Sequence, residues 1–296
     1  MFGGKNDPPE KHLEKLGKEV RRLGGQMARI QEALGRIEAR QCAEAPDLAS
    51  SEFRAFSQWG EDGIIQHLLN KVNVTRKVFV EFGVENYTEA NTRFLLINDN
   101  WSGLVIDGSP DHIRSIRASP IYWQHNLKAV EAFVTRENIN QLLADNGVSG
   151  EIGVLSIDID GNDYWVWEAI DSVSPAILVM EYNARFGAEE AVTVPYDPAF
   201  QRTRAHFSNV YYGASLAALT KLSHRKGYAL VGCNTAGNNA FFVKTDLMPE
   251  SLREATVPEA YARNQFRESR QEDGKLAMLS FEQERELVFS LPLERV

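Results

Sequence analysis

Three aspartates follow an apolar segment in LSIDIDGNDYWVWEAI, residues 155–170. The apolar residues are typical of a buried strand, so Asp158, Asp160 and Asp163 come at or just after its end. Glu181 and Asn183 follow the next apolar segment, PAILVMEYN, in the same way. Side-chain oxygens in this number can bind a divalent cation, or a carboxylate among them can take a proton from a hydroxyl group.

Strand alternation brings these oxygens together. It places Asp158 and Asp160 on one face of their strand, and Glu181 and Asn183 on one face of the next. Neighbouring strands lie about 4.8 Å apart, and no Lys or Arg stands directly beside the acids in sequence. Like charges so close need a proton, solvent or a cation. We predict a site for magnesium, manganese or calcium formed by Asp158, Asp160, Glu181 and Asn183.

The same acids also fit a site without metal. One carboxylate would then face a bound cofactor, and the other would act as general base. We name Asp160 as the catalytic residue, with His206, from the stretch before YYGAS, as a second candidate base. Asp163 or Asn162 is interpreted as the N-cap of the following helix and is left out of the metal site.

Alternating helix-like and strand-like segments, from Phe53 onward, must position these residues. Such alternation predicts parallel strands covered on both faces. The last two strands, YALVGCN and NAFFVKTD, are joined by TAGN, which is too short for a parallel crossover. We expect an α/β, Rossmann-like, doubly wound and mostly parallel seven-stranded sheet with a C-terminal antiparallel hairpin. The third strand is predicted at IYWQHNL.

A different periodicity precedes the sheet. Apolar residues recur in steps of three and four across residues 11–40, as in the seam of a coiled coil. The following QCAEAPDLASS is interpreted as a linker. We therefore predict an N-terminal coiled-coil helix and linker over 1–45, a catalytic-type domain over 46–248, and a helical extension over 249–296. Self-association through residues 11–40 is expected.

Composition excludes several classes of function. The 296 residues carry a formal net charge of −9 with no basic, aromatic-interleaved patch, which argues against a nucleic-acid partner. Two cysteines give neither a disulfide framework nor a zinc spacing. No apolar run approaches the ~18 residues of a membrane span, and the N-terminus lacks a signal-peptide core. We expect a cytoplasmic protein without a membrane span.

Ligands of an open parallel sheet bind outside the carboxyl ends of its strands. Asp107, after the second strand, is suited to accept hydrogen bonds from both hydroxyls of a ribose. The turn after the first strand, GVENYTEAN, has one glycine and two glutamates, which disfavours phosphate. S-adenosylmethionine lacks phosphate and carries positive charge, so it fits. The predicted cofactor-binding residues are Glu81, Gly83, Glu85, Asn91, Asp107, Gly108, Ser109, Asn126 and Asp158.

Several motifs in this order carry a family resemblance. FSQWGEDGII, VFVEFGVENYTEANTRFLL, GLVIDGSP, VLSIDIDGNDYWVWEAI and YYGASLAALTKLSHRKGYALVGCNTAGNNAFFV span about residues 53–244. Together they resemble the FkbM-type branch of class I S-adenosylmethionine-dependent methyltransferases. The chain departs from the wider class where the second and third glycines of the cofactor turn are Glu85 and Tyr87.

The resemblance implies an O-methyltransferase acting on a sugar hydroxyl of a glycan, lipopolysaccharide or glycosylated natural product. Metal-dependent sugar O-methyltransferases have a similar layout of acids, which would match Asp158 and Glu181 and implies Mg²⁺ or Mn²⁺ beside S-adenosylmethionine. Aromatic side chains suit sugar rings. The predicted acceptor-binding residues are Tyr87, Trp165, Tyr196 and Tyr212.

Two other functions stay open. A nicotinamide-dependent sugar oxidoreductase or epimerase could use such a sheet, although the glycine fingerprint is missing. A non-catalytic coiled-coil scaffold with a methyltransferase-like domain would bind neither cofactor nor metal.

Overall fold

The structure is a computed structural model that describes residues 9–296. Most strands coincide with the apolar segments of the sequence. They are β1 (Val78–Phe82), β2 (Ser102–Asp107), β3 (Leu127–Glu131), β4 (Gly150–Ile157), β5 (Val173–Glu181), β6 (Val192–Thr193), β7 (Tyr228–Cys233), β8 (Asn239–Lys244) and β9 (Glu294–Arg295).

The main sheet of the described chain has seven strands in the order β3-β2-β1-β4-β5-β8-β7. The pairs from β3 to β5 are parallel, whereas β8 is antiparallel to both β5 and β7. The predicted Rossmann-like sheet with a terminal hairpin is confirmed. A short antiparallel pair, β6 and β9, lies outside it.

The third strand lies later than predicted. Residues 120–124 form a helix that begins at Pro120, and the strand begins only at Leu127. Proline pre-sets the backbone for the first turn of a helix, so Ile121, Tyr122 and Trp123 of IYWQHNL belong to a helix, and only Leu127 belongs to the strand.

Helices cover both faces of the sheet, because alternate strand residues point to opposite sides. Val80 and Leu155 pack into one apolar core, and Phe79 and Val154 pack into the other. The helices are α1 (Pro9–Cys42), α2 (Leu48–Ser51), α3 (Glu61–Lys71), α4 (Arg93–Ile97), α5 (Pro110–Ala118), α6 (Pro120–Gln124), α7 (Ile139–Asp145), α8 (Asp163–Ala169), α9 (Arg202–Ala205), α10 (Leu216–Arg225), α11 (Val257–Ala260) and α12 (Phe281–Phe289). Short 3-10 turns occupy Ala184–Phe186 and Thr245–Leu247.

Residues 249–296 run along the domain, mostly without regular structure. The Tyr182 hydroxyl donates to Ala262 O at 2.7 Å, and buried Arg185 pairs with Glu284 of α12 at 2.6 Å. Strand β9 pairs with β6. The extension therefore joins the loops that follow β5.

Helix α1 rests on the domain through its C-terminal part, where Gln31 donates to Ala55 O, and Ala39 and Cys42 pack beside Phe53 and Phe94. Across residues 9–296, no helix combines the length and apolar character needed to cross a membrane.

Candidate functional site

Two cavities open at the edge of the sheet where the parallel strands end. Cavity A, about 400 Å³, lies beyond β1, β4 and β5 and is closed by residues of the C-terminal extension. Cavity B, about 410 Å³, lies beyond β1, β2 and β3. Both are lined by Gly83, Glu85, Asp158 and Asp160, so these residues form the boundary through which the cavities meet.

Three of the predicted metal ligands come together at this boundary. One carboxylate oxygen each from Asp158, Asp160 and Glu181 lies within 4.8 Å of the other two. Strand β4 ends at Ile157, so the two aspartates lie in the following loop, and Asp160 has a positive φ of 55°. The acids converge through loop geometry, and not through the strand alternation invoked above.

Gly83 makes this convergence sterically possible. Its φ is +73°, and a Cβ atom placed there would lie 1.6 Å from the backbone oxygen of Asp158. Only glycine allows the turn after β1 to approach the end of β4 so closely. The position of Gly83 in the predicted cofactor turn is thus also a packing requirement.

Two acids of the cluster, Asp158 and Glu181, hold protons unusually tightly. Burial raises the pKa of Asp158 and of Glu181 well above the ordinary values, and repulsion from neighbouring carboxylates adds to it. Glu181 Oε2 is buried and accepts no hydrogen bond from residues 9–296. An unpaired oxygen of this kind calls for a proton or a cation.

Arg202, which sequence reasoning missed, partly balances these charges. Its side chain is only 13% exposed, and its guanidinium lies 2.6 Å from Asp160 Oδ1 and also contacts Glu268 of the C-terminal extension. The prediction that no basic residue lies beside the acids is wrong, because Arg202 contacts Asp160. It was missed because it is distant from the acids in sequence. No local sequence signal distinguishes it from the neighbouring Arg204.

The charge balance of the cluster fits a divalent cation. Asp158, Asp160 and Glu181 supply three carboxylates, and Arg202 supplies one guanidinium that it shares with Glu268. Oxygen donors of this kind suit hard cations such as Mg²⁺ and Mn²⁺. The donor set and the orphaned oxygen of Glu181 together fit such an ion.

Asn183 does not join the cluster, which corrects its assignment as a metal ligand. Strand β5 ends at Glu181, and the fully buried Asn183 side chain donates to Val210 O at 2.9 Å and to Tyr212 O at 3.1 Å. Its Oδ1 accepts from Arg185 N. All of its polar atoms therefore brace the loops after β5.

Asp163 also has a structural role. Its carboxylate accepts from Ile159 N and Gly161 N, both at 2.9 Å, and so holds the loop that carries Asp160. Helix α8 begins at Asp163, and Asn162 occupies the N-cap position without a side-chain capping bond. Leaving Asp163 out of the metal site agrees with these contacts.

In cavity B the Asp107 carboxylate is well supplied with donors. Its Oδ2 accepts from Glu85 N and its Oδ1 from Ser109 N, both at 2.8 Å, and His112 Nδ1 lies 3.0 Å from Oδ1. Gly108 and Ser109 line the same cavity. Ser109 is also the N-cap of α5. Asp107 therefore holds the turn after β1 against the turn after β2.

Beyond Gly83, the turn after β1 has two positions whose backbone favours glycine but which carry other residues. Glu85 has a φ of 48° and Tyr87 a φ of 60°, which cost non-glycine residues free energy. Both positions are held by contacts. Glu85 N donates to Asp107, and the Tyr87 hydroxyl lies 3.0 Å from Thr92 Oγ1.

Glu81 and Asn91, both predicted to bind cofactor, line cavity A as a connected pair. Glu81 accepts from Asn91 N at 2.8 Å and from Thr92 N at 3.0 Å. Burial raises the pKa of Glu81 to about 7. The Asn91 amide donates to Ser156 Oγ at 3.1 Å. These contacts fix the floor of cavity A.

Asn126 and His206 lie outside both cavities. Asn126 precedes β3 and donates to Ser102 Oγ at the start of β2, so it lies at the opposite edge of the sheet. This corrects its assignment to the cofactor, which followed from misplacing the third strand. His206 Nδ1 lies 2.7 Å from Ser208 Oγ, and the structure does not bring this candidate base to the acids.

The four aromatic residues predicted for the acceptor do not line the cavities. Tyr87, Trp165 and Tyr212 are buried, because their rings fill the cores and interfaces beneath the loops. Tyr196 packs under the guanidinium of Arg136, 3.9 Å from its ring centre.

Other aromatic residues line the two cavities. Trp59 stacks on Phe266 in cavity A with ring centres 5.3 Å apart, while Phe133 and Phe200 line cavity B. Phe266 comes from the extension, which sequence reasoning did not connect with the site.

No family model matches the sequence, and a search of curated proteins gives no match. Solved structures do resemble the chain. The N-terminal domain of EvdMO1 with SAH bound is 13% identical, with 70% of this chain and 94% of that chain covered and a TM-score of 0.40. An O-methyltransferase from Bacillus cereus in complex with SAH is 13% identical, with 56% and 72% covered and a TM-score of 0.35.

A third structure is an S-adenosylmethionine-dependent methyltransferase from Clostridium acetobutylicum. It is 10% identical, with 62% of this chain and 89% of that chain covered and a TM-score of 0.38. Identities this low bear on the fold alone, and the fold described above rests on the strand order and directions of the chain itself.

Proposed function

We propose that the chain is an S-adenosylmethionine-dependent O-methyltransferase acting on a sugar hydroxyl. The observation that carries the proposal is the meeting of the two cavities at Gly83, Glu85, Asp158 and Asp160. A methyl donor in cavity B and an acceptor in cavity A would face each other there. The sheet order, with its antiparallel β8, agrees with the class I methyltransferase resemblance of the sequence.

Cavity B has the features that the nucleoside end of the cofactor requires. Asp107 lies at the carboxyl end of β2, where an acid can receive ribose hydroxyls. Phe133 offers an aromatic face to a purine ring. The acids Glu85 and Asp158 at the boundary would favour the ammonium and sulfonium groups by charge.

Three residues would hold a divalent ion, namely Asp158, Asp160 and Glu181. When bound, such an ion lowers the pKa of an alcohol and stabilises the alkoxide. Arg202 keeps Asp160 oriented, and Asp163 keeps the loop of Asp160 in place through Ile159 N. The protein thereby presents the three carboxylates from two strand ends without rearrangement.

Methyl transfer also requires a place for a proton. Bound S-adenosylmethionine would supply an electrophilic methyl group to the acceptor oxygen, and S-adenosylhomocysteine would keep the electron pair of the broken carbon–sulfur bond. The hydroxyl proton passes to a carboxylate of the cluster. Asp160, which belongs to the cluster and lines both cavities, is the candidate to take it.

Cavity A suits a polar ring. The stacked pair Trp59 and Phe266 supplies an apolar face, and two amide groups come from Asn238, at the end of the β7–β8 turn, and from Asn239, the first residue of β8. Asn239 Oδ1 is buried and receives no hydrogen bond from the protein, so it can accept one from a ligand hydroxyl. An apolar face beside polar groups is the arrangement that sugar rings use.

Calorimetric titration with S-adenosylmethionine tests the proposal without a known acceptor. We expect micromolar binding of S-adenosylmethionine that survives treatment with EDTA. Mn²⁺ should bind separately to the metal-stripped protein once EDTA has been removed. Methyl transfer to sugar acceptors should then depend on restored Mg²⁺ or Mn²⁺. Transfer that persists in EDTA would assign the acids to base catalysis alone. Binding of NADH in place of S-adenosylmethionine, or of neither, would overturn the proposal.

A further inference from the structure

Helix α1 carries an exposed apolar stripe. Eight apolar side chains in the described part of the helix, from Leu13 to Ile37, are between 47% and 70% exposed. They are Leu13, Leu16, Val20, Leu23, Met27, Ile30, Leu34 and Ile37. Isolated exposed apolar residues are ordinary, but a continuous stripe of this length is typical of an interaction surface.

The domain does not use this stripe. Helix α1 contacts the domain through Gly35, Ala39 and Cys42, and a Cβ atom on Gly35 would lie 2.6 Å from the Phe94 ring. Beside the stripe, the Gln31 side chain donates to Ala55 O. At about 100° per residue, Gly35, Ala39 and Cys42 lie roughly a third of a turn away from Leu34. Docking of the helix on the domain therefore leaves the stripe free along its whole length.

The spacing of the stripe specifies what can cover it. Its steps alternate between three and four residues, an average of 3.5, and no polar residue interrupts it. Helices with this period pair by supercoiling around partners that have the same period. A second copy of α1 has the same period over the same length.

The flanking charges are compatible with a parallel pair in register. With Leu13 and Leu16 as positions a and d of a heptad, position g of one helix faces position e of the next heptad in the other. Glu19 then faces Gly24 of the second copy, and Ala33 faces Glu38. None of these contacts opposes like charges. Parallel pairing also places both domains at the same end of the helices.

We propose that α1 joins copies of this chain in parallel through residues 13–37. The proposal is independent of the enzymatic function, because it uses no residue of either cavity. It commits the apolar stripe to self-association, and the active sites of the assembled copies would lie at one end of a common stem.

Light scattering of the full-length chain measures the outcome directly. We expect a multiple of the 33.3 kDa chain mass for the wild type. Replacing Leu23→Glu and Ile30→Glu together should reduce the mass to that of one chain. Gly25→Glu with Ala28→Glu is the matched control, since it adds the same charge on the opposite side of the helix and should leave the larger mass unchanged.

Either of two results would overturn the proposal, namely a single-chain mass for the wild type or a larger mass that survives in the Leu23→Glu, Ile30→Glu variant. The direction of pairing is tested with Leu16→Cys. Under oxidation this variant should form a disulfide between chains in a parallel pair, with the wild-type chain as the control. Unchanged mass without such a cross-link would contradict parallel pairing.

Discussion

Cavities A and B lie at the same edge of one sheet, and both contain a carboxylate at a strand end. The two carboxylates differ in the hydrogen bonds that they accept. In cavity B, Asp107 accepts hydrogen bonds from Glu85 N and Ser109 N, and His112 Nδ1 lies beside its Oδ1. In cavity A, Glu181 Oε2 accepts no hydrogen bond from the part of the chain that the structure describes. The difference comes from the turns, because those after β1 and β2 point their amides at Asp107.

This comparison separates two kinds of acidic site. A carboxylate satisfied by backbone donors is held rigidly and can accept further hydrogen bonds from a neutral ligand. Carboxylates crowded together with a single guanidinium retain excess negative charge, which a proton or a cation must balance. On this view cavity B recognises a ligand, whereas cavity A performs the chemistry.

Removal of one charge from cavity A should have the largest effect. We expect Glu181→Gln to weaken Mn²⁺ binding by about 1,000-fold, because the loss of a charged ligand exceeds the 10- to 100-fold cost of losing an outer contact. Affinity for S-adenosylmethionine should change little. Electron paramagnetic resonance of Mn²⁺ measures the first quantity.

The matched control is Glu89→Gln, an acid that lines cavity A outside the cluster. It should leave Mn²⁺ affinity unchanged. Equal losses in the two variants would mean that the cluster attracts cations only through general charge.

Glu81 should make stability depend on pH. Its pKa is raised from 4.5 to about 7 in the folded chain, so the folded state holds this proton more tightly than the unfolded state. The contribution of this proton to the free energy of unfolding is complete below pH 4.5 and is lost as pH rises through 7. Relative to Glu81→Gln, the wild type should lose up to about 3 kcal/mol of unfolding free energy across this range.

Urea unfolding at a series of pH values measures that difference. Replacement of a hydrogen-bonded carboxylate adds a cost that does not vary with pH, so the slope is the quantity to compare. Parallel pH profiles for the two proteins would show that Glu81 does not titrate as proposed.

Asp107→Ala tests the other half of the comparison. The substitution leaves Glu85 N and Ser109 N without their acceptor and removes the group assigned to the ribose. We expect affinity for S-adenosylmethionine to fall by about 100-fold, since hydrogen bonds to a charged group contribute about 1.5–3 kcal/mol each. Mn²⁺ affinity should be unaffected. Asp111→Ala, an exposed acid four residues later, serves as the control for charge.

The smallest expected effects concern the aromatic walls. Phe133→Ala should weaken binding of S-adenosylmethionine by about 10-fold through loss of ring contact, while Phe266→Ala should leave it unchanged. In methyl-transfer assays Phe266→Ala should raise KM for the sugar acceptor. If both variants alter cofactor affinity equally, the two cavities do not divide the ligands as proposed.

Much of the scaffold could be predicted because the relevant information is local. Apolar runs marked four of the five parallel strands, and the short TAGN turn required an antiparallel hairpin. The error at β3 was also local, because Pro120 begins a helix in an apolar stretch. At the site, the convergence of Asp158, Asp160 and Glu181 was predicted correctly, although the loop after β4, and not the strand alternation used for the prediction, brings them together.

The residues whose predicted roles were wrong share a common cause of error. Asn183 was predicted by extending strand alternation past the end of β5, where the chain turns and the amide bonds Val210 O and Tyr212 O. Tyr87 and Trp165 were predicted to bind the acceptor because they are aromatic, but their rings are buried in the protein interior. Local patterns do not reveal where a strand ends or which way a loop side chain points.

By itself the sequence determined the order of strands and helices, the acids at the strand ends and the heptad period of residues 11–40, since each depends on residue type and spacing over a few turns of chain. Only the tertiary structure decided that Arg202, Glu268 and Phe266 complete cavity A. These residues lie 40 to more than 100 positions from Asp158, and their approach depends on packing of the C-terminal extension against the loops after β5. Contacts at such separation follow from the folded chain as a whole, because no local periodicity encodes them.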